Sequence, residues 1–235
     1  MSEAAGADRA AAAAAAGEDP REVAVFDLDG VLTRRDTFTL FVLGRFRRCP
    51  LRVALALPLV PLMLLPASRR WAITLAVRLS LVRLSVAGYR AEAAAFARRL
   101  AATPGALQPG CVAQARAHLD AGARVVFATA SEEALARALL DAAGLPDAEL
   151  VASRLARSGR SWRVALHNLG AEKPRQLAAR GIRPPWAVAY SDHAVDLPLL
   201  RGAEVAVLVN ASPAFLGLAR AELEGEVHLA DWPAG

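Results

Sequence analysis

Lysine is almost missing from this chain: of 28 basic residues in 235, Lys173 alone is a lysine. Arginine carries a rigid, always-charged fork, whereas lysine is a compact ammonium on a flexible stem, so a solitary lysine raises the question of whether an ammonium is required at that place. Cysteine is scarce too. Cys49 and Cys111 are isolated, with no C-x-x-C or metal-type spacing, which argues against a disulfide framework and fits a reducing compartment. A secretory leader is not expected, because the first twenty residues carry acids where a leader needs positive charge, and their alanine run is too weakly hydrophobic. Residues 1–20 read as a mobile tail.

What is present is apolar and basic. Hydrophobic residues make up 55% of the chain and the mean hydropathy is +0.30, so either much surface is covered or part of it meets lipid. The length suits one sizeable core, or one core carrying a smaller insertion. Strand-like apolar runs occur at 22–27, 124–129, 186–190 and 204–209. Helical patterns at 110–121, 132–143, 172–180 and 195–201 separate them, each followed by a glycine. This alternation predicts a doubly wound α/β fold, a mostly parallel sheet with helices on both faces. A hairpin over 149–155 and 161–166 is expected to add an edge ribbon.

Residues 34–104 break the rhythm. They contain no strand candidate and read as three or four helices bounded or kinked by Pro50, Pro58, Pro61, Pro66 and Pro104. The expected organisation is therefore a core of 21–33 and 105–235 with a helical cap, 34–104, inserted after the first strand. Thirteen arginines against Asp36 and Glu92 give the insertion a net +11, which leaves −6 for the rest of a +5 chain. Within it, VALALPLVPLMLLPA at 53–67 is uncharged but shorter than the roughly 20 residues a spanning helix needs. The segment 71–88 is apolar apart from Arg78 and Arg83. A packed cap, interfacial insertion and a membrane span are the three readings open to this stretch. Nucleic acid is not an expected partner, because the arginines alternate with aliphatic residues rather than with aromatics.

In an open parallel sheet, ligands gather at the carboxyl ends of the strands. Asp27 and Asp29 follow the first strand in VAVFDLDGVLT, Thr129 and Ser131 end the second in FATAS, Lys173 opens a helix after HNLGAE, and Asp192 and Asp196 follow WAVAY. Carboxylates converging from several strands repel one another unless a cation joins them, and Mg²⁺ is the usual choice where a phosphate is also bound. A carboxylate, a metal, a hydroxyl and an ammonium together form a phosphoryl-transfer site.

These motifs resemble the haloacid-dehalogenase superfamily: FDLDGVLT its first motif, FATAS its second, NLGAEK its third and YSDHAVDLPLL its fourth. The insertion point resembles the phosphoserine-phosphatase-like branch, and the long apolar cap with RRWAITLAVRLS is most similar to the phosphatidylglycerophosphatase C type. The resemblance implies Asp27 as the nucleophile that becomes an aspartyl-phosphate and Asp29 as general acid, then base. It implies Mg²⁺ held by Asp27, the Asp29 carbonyl and Asp192, with Asp196 in support. Thr129, Ala130 and Lys173 would bind the phosphate; apart from the resemblance, Arg34 and, by its place next to Asp192, His193 are candidate substrate contacts. Because Asp29 is present, a phosphatase is implied rather than a dehalogenase. The implied substrate is a lipid phosphate such as phosphatidylglycerophosphate at the inner face of a bacterial membrane. The alternatives are a soluble phosphate, such as phosphoserine or a phosphosugar, or an inactive membrane-bound binding protein. Val31 and Ser191 depart from the commoner Thr and Gly of the motifs, and neither change removes a group the chemistry requires.

Overall fold

The computed structural model describes residues 22–159 and 161–232. The tail expected over residues 1–20 lies outside that range. Seven strands form one sheet: β1 Val23–Phe26, β2 Arg124–Glu132, β3 Glu149–Ser158, β4 Ser161–Leu166, β5 Trp186–Ser191, β6 Ala203–Val209 and β7 Glu226–Ala230. Their order is β4-β3-β2-β1-β5-β6-β7, and every pairing is parallel except β3 with β4. The doubly wound fold and the edge hairpin are thus as expected.

Side chains alternate across the central strands, so each strand feeds two cores. Ala24, Phe26, Val125 and Phe127 join one core with Cys111 and Ala115 of α6 (Pro109–Asp120) and Leu139 and Leu140 of α7 (Glu133–Ala142). Val25, Val126, Ala189 and Leu208 join the other with Leu177 of α8 (Glu172–Ala178), Leu199 of α9 (Leu197–Leu200) and Phe215 of α10 (Pro213–Glu222). Both faces are covered, as a parallel sheet requires. α10 and β7 had no counterpart among the expected elements.

Between β1 and α6 run five helices: α1 Thr37–Arg47, α2 Pro50–Ala56, α3 Leu59–Leu64, α4 Pro66–Ser80 and α5 Val86–Ala101. The prolines explain why there are five rather than three or four. Pro50 and Pro66 start helices where no amide donor is needed, and Pro58 caps α3. The two ends of this segment are joined by backbone bonds, Arg34 N to the Ala106 carbonyl at 3.3 Å and Gln108 N to the Leu32 carbonyl at 2.9 Å. Ser85 caps α5 through the Gly88 amide at 2.9 Å, and buried Tyr89, Ala93 and Ala97 recur every four residues along it. That stripe packs on α7 and on the hairpin, where Trp162 Nε1 donates to the Leu84 carbonyl at 3.1 Å and its ring meets Tyr89. Among the described residues no helix is long and apolar enough to cross a membrane.

Candidate active site

In this strand order the switch point is between β1 and β5, whose carboxyl ends open a crevice. Asp27 continues the ladder one residue past β1, its amide donating to the Tyr190 carbonyl at 2.9 Å. Oδ1 of Asp27 accepts from the Leu28 amide at 2.7 Å and stands 2.9 Å from Nζ of Lys173. Lys173 lies in the first turn of α8, its amide bonded to the Gly170 carbonyl at 3.0 Å. Its ammonium also reaches Oδ2 of Asp196 at 2.7 Å, an oxygen that accepts from Ser191 Oγ at 2.9 Å. Lys173 is 1% exposed and Asp196 is wholly buried.

The electrostatics of this trio follow from burial. Burial works against the charged form of Lys173, but Asp27 and Asp196 outweigh it and hold the ammonium charged above its ordinary range. One cation facing two carboxylates leaves a buried excess of negative charge. Burial and the charge of Asp196 accordingly push Asp27 up, while Lys173 pulls it down less effectively.

The chain then makes a tight turn: Gly30 N donates to the Thr33 carbonyl at 2.7 Å, and Leu32 N and Thr33 N both reach the Leu28 carbonyl. Gly30 has φ +85°, and a β-carbon there would run into the carboxylate of Asp192. Asp192 therefore lies directly against the turn that carries Asp29. Burial raises its carboxyl as well, and Asp196 adds to the effect.

Asp29 points its carboxylate away from Lys173. Oδ1 accepts from the Thr37 amide at 2.8 Å, from the Thr37 hydroxyl and from the Thr33 hydroxyl at 3.3 Å, and Oδ2 accepts from Ser131 Oγ at 2.6 Å. Burial lifts its carboxyl above the ordinary range, with the Ser131 and Thr37 bonds opposing. Thr129, on the adjoining strand, is fully buried, and its hydroxyl accepts from the Ser131 amide at 3.0 Å. Ala130 sits between them in β2. Asn168 donates to the Thr129 carbonyl at 3.2 Å and to the Val151 carbonyl at 2.9 Å, tying the loop before α8 to the second and third strands.

Other residues land differently. His193 is exposed, and its Nδ1 accepts from the Val195 amide at 3.0 Å as a cap. Arg34 is exposed at the start of the inserted segment. Of the acids expected at a metal, Asp29 was expected to contribute its carbonyl, and its carboxylate is bonded to Thr37 and Ser131, while Asp196, expected in support, is bonded to Lys173 and Ser191. Among the described residues no three His, Cys, Asp or Glu side chains are placed to hold a metal ion. Thr33, Thr37, Asn168 and Gln108 were not anticipated. Thr37 had a legible signal, following the Asp36 cap of α1, whereas the others depend on contacts between distant segments.

The donor set still suits a magnesium ion. Mg²⁺ takes oxygen ligands only, retains several waters and is commonly held by one or two carboxylates with a substrate phosphate. Asp27 and Asp192 supply two carboxylates, and the turn packed on Asp192 carries the Asp29 carbonyl. Burial disfavours charge on both acids, the situation a divalent cation relieves.

Residues 24–201 match the family of haloacid dehalogenase-like hydrolases. The chain belongs to that family and is a hydrolase. Solved structures share the fold. A Bordetella pertussis Tohama I protein of unknown function is 22% identical, with a TM-score of 0.54, covering 88% of this chain and 98% of that one. A phosphoserine phosphohydrolase-like protein from Francisella tularensis is 14% identical, with a TM-score of 0.58 and coverage of 89% and 94%. A substrate-bound phosphoserine phosphatase is 13% identical, with a TM-score of 0.54 and coverage of 89% and 94%.

Proposed function

We propose that this hydrolase is a Mg²⁺-dependent phosphomonoesterase working through a phosphorylated Asp27, with a lipid phosphate such as phosphatidylglycerophosphate as substrate at the inner face of the membrane. The observation that carries the phosphatase reading is the buried Lys173 ammonium between Asp27 and Asp196, beside the turn that presses Asp192 against Gly30. The phosphatase names of similar solved structures and the charge of the site support the same reading: a phosphoryl group is drawn to an ammonium and a metal, and its oxygens need several donors.

In this reading Lys173 and the hydroxyl of Thr129 hold phosphoryl oxygens, with the Ala130 amide beside them, while a carboxylate oxygen of Asp27 attacks phosphorus. Asp29 delivers its proton to the departing alkoxide oxygen, and burial, by raising its carboxyl, favours the protonated form a donor needs. The same carboxylate then takes a proton from the water that attacks the Asp27 acyl phosphate, releasing phosphate and restoring both acids. A magnesium ion held by Asp27, Asp192 and the Asp29 carbonyl would neutralise charge on the phosphoryl group. Asp196 serves this set from behind, holding Lys173 toward Asp27.

The lipid part is supported by the basic, apolar composition of residues 34–104 opposite an acidic remainder. Two measurements test the proposal. Phosphate release from an aryl phosphate is expected with Mg²⁺ and absent in Asp27→Asn; equal release by that variant would overturn the assignment of the nucleophile. A side-by-side panel of phosphorylated lipids, phosphoserine and phosphosugars is expected to favour the lipid, and preference for a soluble phosphate would overturn that part alone.

A further inference from the structure

The described residues expose seventeen large hydrophobic side chains, and nine of these fall between Leu51 and Ile73. Such a concentration in about a tenth of the chain marks a patch rather than ordinary scatter. α2 buries none of its residues and α3 buries only Leu59. α3 and α4 do pack on each other through Leu59, Ala72 and Ala76, so these helices are apolar on the inner side and again on the outer one. Leu51, Leu55, Leu57, Leu64, Leu65 and Trp71 point outward, with Leu64 at 80% and Leu51 at 68% exposure.

The rim is positive. Arg47, Arg48, Arg69, Arg70 and Arg78 are exposed around these side chains, and no acid occurs between Asp36 and Glu92. Glu92 is bonded to buried Arg45 and lies 3.8 Å from Arg48, so it offsets part of that charge and leaves the rim positive through Arg47, Arg69, Arg70 and Arg78. A second copy of the same patch would therefore bring one strongly positive rim against another, with Glu92 as the one acid of the segment near it. An anionic bilayer answers both features at once, offering hydrocarbon to the leucines and phosphates to the arginines.

We infer that α2, α3 and the start of α4 form a docking surface that lies in the headgroup region of an anionic bilayer without crossing it. The helices are too short for anything deeper: α2 and α3, of 7 and 6 residues, measure about 10 Å and 9 Å against a hydrocarbon core of about 30 Å. Pro58 and Pro66 break the run into pieces that can lie flat, and Trp71 stands at its end, where an indole suits the interface. α1 joins the patch to the catalytic edge, since its first residue, Thr37, binds Asp29 and its last turn precedes α2. The inference rests on the lipid-phosphate reading only in naming why the site should be brought to a membrane.

Flotation of the full chain with phosphatidylcholine vesicles, with and without phosphatidylglycerol, tests this directly. Recovery with the anionic vesicles is expected, weakening at high salt, with a blue shift in tryptophan emission. Leu55→Asp with Leu64→Asp should lower vesicle affinity at least about tenfold, and Arg69→Glu with Arg70→Glu should do so on anionic vesicles by about the same factor. Neither pair should change turnover of a soluble aryl phosphate. Full-length protein that stays with the aqueous phase, or variants that bind as the parent does, would overturn the surface. So would a stable dimer that Leu64→Asp converts to monomer. The two readings fail separately: vesicle binding without hydrolysis of phosphorylated lipid removes the substrate and leaves the surface, whereas hydrolysis of micellar lipid phosphate without vesicle binding does the reverse.

Discussion

Gly30 and Asp192 occupy each other's space: the backbone of Gly30 at φ +85° passes so close to the Asp192 carboxylate that no β-carbon fits between them. This contact sets the loop after β1 against the loop after β5, and it presses the Asp192 carboxylate on the residue that follows Asp29. Gly30→Ala should cost about 1–2 kcal/mol for the left-handed backbone alone. It should also push Asp192 aside and raise the Mg²⁺ concentration needed for half-maximal activity. Thermal unfolding and Mg²⁺ titrations of the aryl phosphatase activity check both effects, and an unchanged Mg²⁺ requirement would separate Asp192 from the metal.

Gln108 supports the same turn from the far side of the insertion. Its buried amide nitrogen donates to the Gly30 carbonyl, its oxygen accepts from Asn210 Nδ2 at 2.9 Å, and Asn210 Oδ1 accepts from the Trp232 amide at 2.8 Å. Gln108→Ala removes the bond to the Gly30 carbonyl and the acceptor of Asn210 Nδ2, at about 1–3 kcal/mol of stability. Mg²⁺ affinity should fall roughly tenfold or more, as for other supports of metal ligands. Calorimetric Mg²⁺ binding is the measurement, and Asn210→Ala should show a smaller effect of the same sign.

Lys173→Met removes the cation from a site that retains two acids. Breaking a buried pair in this way costs about 3–5 kcal/mol. The sign of the pH dependence follows. With the ammonium gone, the Asp27 carboxyl, already raised by burial, loses the charge that pulled it down and keeps in the folded state a proton that the unfolded chain has already lost. Stability of the variant should therefore rise as the pH falls from neutral and drop as it rises, as denaturant midpoints across that range would show. Phosphatase activity should be lost at every pH.

The Asp29 carboxyl is raised by burial and held down by Ser131 and Thr37. Activity that needs Asp29 as a proton donor is present below its folded pKa and lost as pH rises through it. Ser131→Ala and Thr37→Val remove bonds that favour the ionised form, so the basic limb of the pH–rate profile should move to higher pH in each. A basic limb that stays in place would assign it to a different group.

Much of the architecture was legible because it is local. A four-residue apolar strand ending on Asp27, alanine-rich helices closed by glycines, and prolines that break the insertion are all properties of neighbouring residues. α10 and β7 were not singled out in the sequence: PAFLGLARAE and EVHLA are short, and their places come from the second core and from pairing with β6. The acids were individually visible, but their directions were not. Asp196 turned to Lys173, 23 residues away, and Asp29 turned to Ser131, 102 residues away, are choices made by contacts between distant segments.

By itself the sequence determined the parallel α/β order, the placing of Asp27, Lys173 and Asp192 after strands or at a helix start, and the split between a +11 insertion and an acidic remainder, because all three are written in local pattern and residue type. Only the tertiary structure decided that Lys173 answers two carboxylates, that Gly30 must lack a side chain, and that Leu51 and Leu55 of α2 and Leu64 of α3 face outward. Those outcomes depend on which distant surfaces meet, and burial, not sequence spacing, settles which charges and which apolar side chains find partners.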